Sequence, residues 1–169
     1  NSKYIIKKYP YTKHIINQIN SENNLLAHLN LKNSIYPNPI KNRNGEYFEI
    51  YNSGKNTYVV RLLSFLNGTF LGDINQTKKI LESLGSFTAE MNKAILDYED
   101  LYISSRVWQW DIQHIHLNKK FIKDIESFRD RKLVNYFLQQ FDEVVIPILP
   151  NLRKSIIHND LNEWNILCN

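Results

Sequence analysis

The chain has 169 residues, a length that suits one domain or two small lobes with a sizeable core. Its hydrophobic fraction of 43% and aromatic fraction of 12% are typical of a globular protein and exclude an intrinsically disordered one. The formal net charge of +4 is mildly basic, which suits a phosphate-bearing ligand but falls short of a nucleic-acid footprint.

The remaining bulk features concern the compartment and the partners. The single cysteine, Cys168, cannot form an internal disulfide, which fits a reducing compartment. No apolar run approaches the length of a membrane span, and the first residues are unlike a signal peptide. We therefore expect a cytoplasmic protein with no membrane partner and no nucleic-acid partner, and the sequence leaves the oligomeric state open.

The first part of the chain predicts a small mixed lobe. Residues 3–9 contain aromatic and branched side chains and are followed by Pro10, a pattern typical of a strand. Apolar residues recur at helical spacing over 12–31. Three antiparallel strands are expected between about 38 and 66, with a hairpin signal at Asn44-Gly45 and a second turn at 52–56.

After Gly68 the pattern becomes mostly helical. It predicts a helix over 73–98, then a loop with SSRVWQWD, then helical structure over 121–148 in two pieces. Short strands at 155–157 and 165–168 are expected to form a small closing hairpin. The predicted fold class is α+β, with an antiparallel-sheet lobe at 1–66 followed by a mainly helical lobe at 67–169.

The stretch IIHNDLNEWNIL, residues 156–167, places polar residues between two apolar runs. Asp160 and Asn165 lie five positions apart, a spacing that suits phosphoryl transfer. The carboxylate can accept the proton of an attacking hydroxyl, and the carboxamide oxygen can help to hold Mg²⁺. His158 can brace the loop by hydrogen bonding. The alternative is a polar turn, since Asp and Asn are common turn formers.

HNDLNEWNIL resembles the catalytic loop of the aminoglycoside-phosphotransferase and choline-kinase superfamily. YVVRLLSFLNGT resembles the last small-lobe strand and hinge of its hydroxylysine-kinase-like and homoserine-kinase-like branch, and RVWQWDI resembles an Arg-x-x-x-Trp-Asp stretch of that branch. The similarity runs from residue 4 to 168 in matching order. It implies a protein-kinase-like fold and transfer of the γ-phosphoryl group of ATP or GTP to a hydroxyl of an amino alcohol, hydroxy amino acid or aminoglycoside-like acceptor.

The resemblance also implies roles for residues of the loop and of the helical lobe. Asp160 corresponds to the catalytic base, Asn165 to a Mg²⁺ ligand and His158 to the structural histidine of the loop. Trp110 and Asp111 are candidates for a substrate pocket, although aromatic residues beside a helix more commonly belong to the core.

In the small lobe the resemblance implies a nucleotide site. Lys7 corresponds to the strand lysine that grips the phosphates, with Lys8 as its rival, and Glu22 to the acidic partner that orients this lysine. The hinge that meets the nucleotide base corresponds to Ser64, Phe65 and Leu66. Lys7 also fits an ordinary edge-strand lysine, and Glu22 a solvated helix residue.

The chain departs from the family pattern in two ways. Residue 159 is Asn where the superfamily usually has Gly and protein kinases have Arg, which favours a small-molecule kinase over a protein kinase. An Asp-Phe-Gly-like metal motif and a phosphate-covering hairpin are not found in the sequence, so we expect an incomplete middle portion of a kinase that is a poor catalyst alone. The alternative is a non-catalytic kinase-like binding or regulatory module.

Overall fold

The computed structural model describes residues 3–169, which divide into two compact units. The first unit comprises 3–105 together with 156–169, and the second comprises 106–155. The lobe boundary between residues 66 and 67 that the sequence suggests stays a prediction. Within residues 3–169, no helix is long and apolar enough to cross a membrane.

The first unit contains an antiparallel sheet with its longest strand in the middle. β1 (Tyr4–Pro10) pairs with one edge of β4 (Asn56–Ser64) along its whole length. β2 (Pro39–Ile40) and β3 (Glu49–Ser53) both pair with the other edge of β4. The strands predicted within 3–9 and 38–66 are thus confirmed.

The two predicted turns differ in what they connect. Gly54 and Lys55 join β3 to β4 in a two-residue hairpin, because Ser53 is paired with Asn56. The Asn44-Gly45 turn does not join a hairpin, since β2 and β3 do not pair with one another. It lies instead in a loop over 41–48 that closes on itself through the N–H of Asn42 and the carbonyl of Glu46.

Side chains alternate across β4, and one of its faces is closed by a helix. Val59, Arg61 and Leu63 are buried, and they lie on the same face because they are two residues apart. α1 (Lys13–Lys32) covers this face, since the Arg61 guanidinium contacts it. The helix begins after Thr12, whose Oγ1 accepts the N–H of Ile15 at 3.0 Å.

α1 packs against the next long helix. α2 (Lys78–Ala94) is shorter than the predicted helix over 73–98, because Thr77 caps its first turn and Leu71–Asp73 form a separate 3₁₀ turn. Leu29 of α1 and Met91 and Ile95 at the end of α2 form the buried core cluster. α3 (Leu101–Ser104) follows, capped by Asp100, whose carboxylate also accepts a hydrogen bond from Ser21 of α1.

The second unit is helical. A 3₁₀ segment, Ile112–Asp124, is kinked at His114 and is followed by α4 (Phe128–Gln140), a π-helical turn at Phe141–Val145 and a 3₁₀ turn at Leu149–Asn151. Helical structure therefore begins at residue 112, earlier than predicted. The loop assignment of the segment around His114 was wrong, because the carboxylate of Asp111 accepts the N–H of Gln113 and starts a turn there.

The predicted closing hairpin was wrong. Residues 155–157 form no strand, and β6 (Leu167–Cys168) pairs with β5 (Thr69–Phe70). Ile156 packs against the core cluster of Leu29, Met91 and Ile95. Ile156 therefore contributes to packing rather than to strand pairing.

Candidate active site

The loop at 156–167 is anchored at both ends by apolar packing and backbone hydrogen bonds. Ile156 and Leu161 pack against the core cluster of the first unit. On the other side, the N–H of Leu71 donates to the carbonyl of Ile166 at 3.0 Å, and the N–H of Gly72 donates to the carbonyl of Glu163 at 3.1 Å. A polar loop held on both sides in this way can present side chains in a fixed geometry.

Gly68 and Gly72 let this loop approach the segment that follows β4. A Cβ at Gly68 would lie 3.0 Å from the Leu167 Cβ and 3.1 Å from the Cys168 carbonyl oxygen. A Cβ at Gly72 would lie 3.0 Å from the Trp164 indole. The two glycines therefore lie where β6 and the Trp164 side chain closely approach residues 68–72.

Asn159 has a left-handed backbone conformation, with φ of +62°. Asn and Gly tolerate this region far better than residues with bulkier side chains. The departure noted at this position, Asn where the superfamily usually has Gly, is thus compatible with the same turn. The turn reverses the chain immediately before Asp160.

The carboxylate of Asp160 is held by two carboxamides. Asn162 Nδ2 donates to Oδ1 at 2.8 Å, and Asn165 Nδ2 donates to Oδ2 at 2.9 Å. Asn165 Nδ2 also reaches the Asp160 backbone carbonyl at 2.8 Å. Each carboxylate oxygen keeps a further acceptor site for a substrate hydroxyl. The loop therefore joins the predicted base and the predicted metal ligand.

His158 contacts the backbone of the same residue. Its Nδ1 accepts the N–H of Asp160 at 3.3 Å, so the neutral ring carries its proton on Nε2. Desolvation of the ring lowers the pKa of His158 from 6.5, and the charge of Asp160 opposes this shift in part. The neutral form that the hydrogen bond needs is therefore favoured near pH 7.

Asn162 contributes more than the sequence suggested. Besides holding Asp160, its Oδ1 accepts the N–H of Trp164 at 2.9 Å. Its backbone carbonyl accepts the N–H of Asn165 at 3.0 Å. Asn162 thus forms a turn of the loop and holds the Asp160 side chain at the same time.

The loop supplies oxygen donors of the kind that Mg²⁺ prefers. Asn165 uses its Nδ2 on Asp160, which leaves its Oδ1 for a cation, and Asp160 adds carboxylate oxygens. These donors fit Mg²⁺ in chemical type but fall short of an octahedral set. Within residues 3–169, no group of three or more His, Cys, Asp and Glu side chains could hold a metal ion. The remaining positions would be taken by phosphate oxygens and water.

The structure distinguishes the two candidate lysines of β1. Lys7 is paired directly with Arg61 of β4, so its side chain lies on the face of the sheet that α1 covers. Lys8 lies on the opposite face, where its Nζ is 3.7 Å from the centroid of the Tyr58 ring. Both lysines are exposed, but only Lys7 lies on the face of the sheet that Glu22 of α1 covers.

Glu22 pairs with an arginine. Its Oε2 forms an ion pair with Arg61, and Asn23 Oδ1 accepts a second hydrogen bond from that guanidinium at 3.2 Å. Among the residues that the structure describes, no ion pair joins Glu22 to Lys7. Arg61 itself is only 5% exposed. The sequence around Arg61 does not indicate this burial, because the residues that pair with its guanidinium belong to α1 and β1 and lie far away in the chain.

The hinge candidates follow the end of β4. Ser64 exchanges hydrogen bonds with Asn38, through its own N–H at 2.9 Å and through its Oγ at 2.8 Å. The N–H of Phe65 donates to the carbonyl of Lys3 at 3.4 Å. Over the described range 3–169, the N–H of Leu66 has no hydrogen-bond partner, so it could bind an acceptor on a nucleotide base.

Trp110 and Asp111 belong to the second unit. Trp110 is 81% exposed, which argues against a core position. Asp111 caps Gln113, and its Oδ2 lies 3.5 Å from Nδ1 of His114. Nearby, the Arg106 guanidinium stacks 3.9 Å from the centroid of the Trp108 ring. Their role in substrate binding stays a prediction.

Comparison with known proteins identifies the family of the chain. The phosphotransferase enzyme family matches the chain over residues 1–169. Hydroxylysine kinase of Mus musculus is 28% identical over 118 residues, covering 68% of this chain and 31% of that protein. Hydroxylysine kinase of Xenopus laevis is 28% identical over 138 residues, covering 76% and 37%. The matched part thus spans about a third of these relatives. The chain belongs to the phosphotransferase enzyme family, in the hydroxylysine-kinase-like branch of the aminoglycoside-phosphotransferase and choline-kinase superfamily, and has its kinase-like α+β fold.

Proposed function

We propose that the protein is a small-molecule kinase that transfers the γ-phosphoryl group of ATP or GTP to a substrate hydroxyl. The observation that supports this most directly is the carboxylate of Asp160, held on one side by Asn162 and on the other by Asn165. Its relatives are named hydroxylysine kinase, so a hydroxylated amino acid or amino alcohol is the acceptor class that we favour.

In this proposal Asp160 is the base. Its carboxylate orients the acceptor hydroxyl and accepts its proton as the new O–P bond forms, while the bond from the γ-phosphorus to the bridging oxygen breaks and the nucleoside diphosphate leaves. Little covalent chemistry is required of the protein, so a fixed carboxylate contributes chiefly through positioning and charge compensation. His158 holds the backbone of this residue, and Asn162 holds its side chain.

The nucleotide would bind in the lobe at residues 1–66, and the acceptor in the lobe at 67–169. Lys7 would contact the phosphates, and the backbone at Ser64, Phe65 and Leu66 would meet the base. Mg²⁺, when bound, neutralises charge on the transferred phosphoryl group. Asn165 would hold it through Oδ1, with Asp160 adjacent.

The test is turnover by the whole protein with Mg²⁺ and either ATP or GTP. Candidate acceptors are 5-hydroxylysine, homoserine and choline, and release of the nucleoside diphosphate is the readout. Asp160→Asn should lower kcat by about 10²- to 10⁴-fold, the usual contribution of a general base, with nearly unchanged nucleotide affinity. Asp124→Asn is a matched control, because Asp124 is exposed in the second unit. Unchanged turnover in Asp160→Asn contradicts the proposal.

A second candidate is a non-catalytic kinase-like binding module. It is favoured by the small number of metal donors, since within the described residues 3–169 no acidic cluster completes the set. This module would bind nucleotide equally well with Mg²⁺ or with EDTA, and it would release no nucleoside diphosphate with any acceptor. A dependence of both binding and turnover on Mg²⁺ excludes it.

A further inference from the structure

Two cations lie side by side on the α1-covered face of the sheet, with one carboxylate nearby. Lys7 and Arg61 are direct partners in the β1–β4 ladder, so their side chains leave the sheet on the same face. The carboxylate is Glu22 of α1. Its Oε1 accepts from Gln18 Nε2 at 2.8 Å, and its Oε2 is paired with Arg61. Both oxygens of Glu22 are thus already engaged.

Arg61 links three elements. One of its terminal nitrogens donates to Asn23 Oδ1 at 3.2 Å, and the other, which binds Glu22, also donates to the Tyr9 hydroxyl at 3.0 Å. Tyr9 lies two residues after Lys7 in β1, on the same face. The guanidinium therefore ties α1 to β4 and to the strand that carries Lys7.

Burial determines which cation keeps the carboxylate. The side chain of Arg61 is only 4% exposed, and a buried cation that loses its carboxylate is left uncompensated. Lys7 is exposed and can remain hydrated without a partner. The arginine fork also makes several directed hydrogen bonds, which an ammonium group cannot reproduce. Transfer of Glu22 from Arg61 to Lys7 is therefore unfavourable.

We propose that Arg61 is a positioning residue of the nucleotide site, a role that rests on the proposed kinase function. It takes the carboxylate of Glu22, fixes α1 against β1 and β4, and leaves the ammonium of Lys7 available for the nucleotide phosphates. Glu22 then acts on Lys7 only through Arg61. This differs from the family expectation, in which the acidic helix residue pairs with the strand lysine directly.

Double-mutant cycles on nucleotide affinity test the proposal. The affinity of the whole protein for Mg-ATP and Mg-GTP is measured by calorimetry in Lys7→Met, Glu22→Gln and Arg61→Met and in the doubles that combine Glu22→Gln with each of the others. Lys7→Met should weaken binding roughly 10- to 100-fold, the effect of one lost charge-assisted hydrogen bond. Lys55→Met, in the exposed turn between β3 and β4, is the matched control and should leave affinity unchanged.

The inference predicts that Glu22 is coupled to Arg61 as well as to Lys7. Glu22→Gln should add little further loss in the Arg61→Met background, because Glu22 acts through Arg61, and little in the Lys7→Met background, because the ammonium that both residues position is then absent. Direct pairing of Glu22 with Lys7 predicts instead that Glu22→Gln keeps its full effect in the Arg61→Met background. A further readout separates positioning from a general structural role. Arg61→Met should weaken ATP more than adenosine, because the phosphates contact Lys7, while a loosened fold would weaken both equally.

Each other outcome overturns a specific claim. Strong coupling of Glu22 with Lys7 and none with Arg61 would overturn the role of Arg61. If Arg61→Met does not fold, Arg61→Lys, which keeps the charge but not the fork, replaces it in the cycle. It should show an intermediate loss and a reduced effect of Glu22→Gln, and an undiminished effect of Glu22→Gln would overturn the role of Arg61. If the unmodified protein binds neither nucleotide, both the kinase function and this inference are wrong.

Discussion

Substituting Gly68 by Ala tests how the candidate loop at 156–167 is attached to the rest of the first unit. Gly68 has φ of +145°, a conformation that residues with a Cβ rarely adopt. The added Cβ would also lie 3.0 Å from the Leu167 Cβ and 3.1 Å from the Cys168 carbonyl oxygen. Neither neighbour is the far end of a flexible side chain. The substitution therefore introduces backbone strain and a collision with β6 together.

Each contribution has a magnitude. The strained backbone costs about 1–3 kcal/mol of the free energy of unfolding, and forcing a methyl group into a filled space costs about 1–3 kcal/mol more. The sum is roughly 2–6 kcal/mol, which for a chain of this length corresponds to a fall in Tm of the order of 4–24 °C. The loop should also lose its fixed geometry, so kcat should fall more than nucleotide affinity.

Two other glycines separate the contributions in a thermal unfolding series. Gly54 has φ of +59° with nothing within 4 Å of a Cβ, so Gly54→Ala carries strain alone and should cost about 1–2 kcal/mol. Gly85 lies inside α2 with open space around it, so Gly85→Ala should stabilise by about 0.5–1 kcal/mol. If Gly68→Ala unfolds like Gly54→Ala, the close approach to β6 has no energetic importance and the reasoning is refuted.

Other predictions concern the loop itself. The pKa of His158 is lowered in the fold, so the unfolded chain binds more protons than the folded chain below pH 6.5. The free energy of unfolding should therefore fall as the pH decreases through the interval below 6.5. Denaturant titrations of His158→Gln should show a smaller fall, and an identical fall contradicts the assignment. Asn159→Val should be less stable than Asn159→Gly by about 1–2 kcal/mol in the same assay, since only the former resists the left-handed turn. Asn162→Asp retains an acceptor for the Trp164 N–H but sets a second carboxylate beside Asp160, so it should lower kcat more than Asn162→Ala, and equal kcat values would contradict this.

Much of the candidate site could be predicted because its chemistry is local in the chain. Asp160 and Asn165 are five residues apart, and the hydrogen bond between them forms within one loop. The bracing contact of His158 also spans only two residues. Glu22 is different, because its partner Arg61 is 39 residues away. Nothing in the local pattern around either residue distinguishes that pair from Glu22 with Lys7.

The sequence by itself determined β1, α1 and β4, since branched and aromatic composition or helical periodicity is a property of each segment alone. Tertiary structure decided which segments meet. Leu167 and Cys168 pair with Thr69 and Phe70 rather than with 155–157, because Ile156 is packed against the core. It also decided which cation keeps Glu22, because burial of Arg61 makes its unpaired charge costly, and burial depends on elements far apart in the chain.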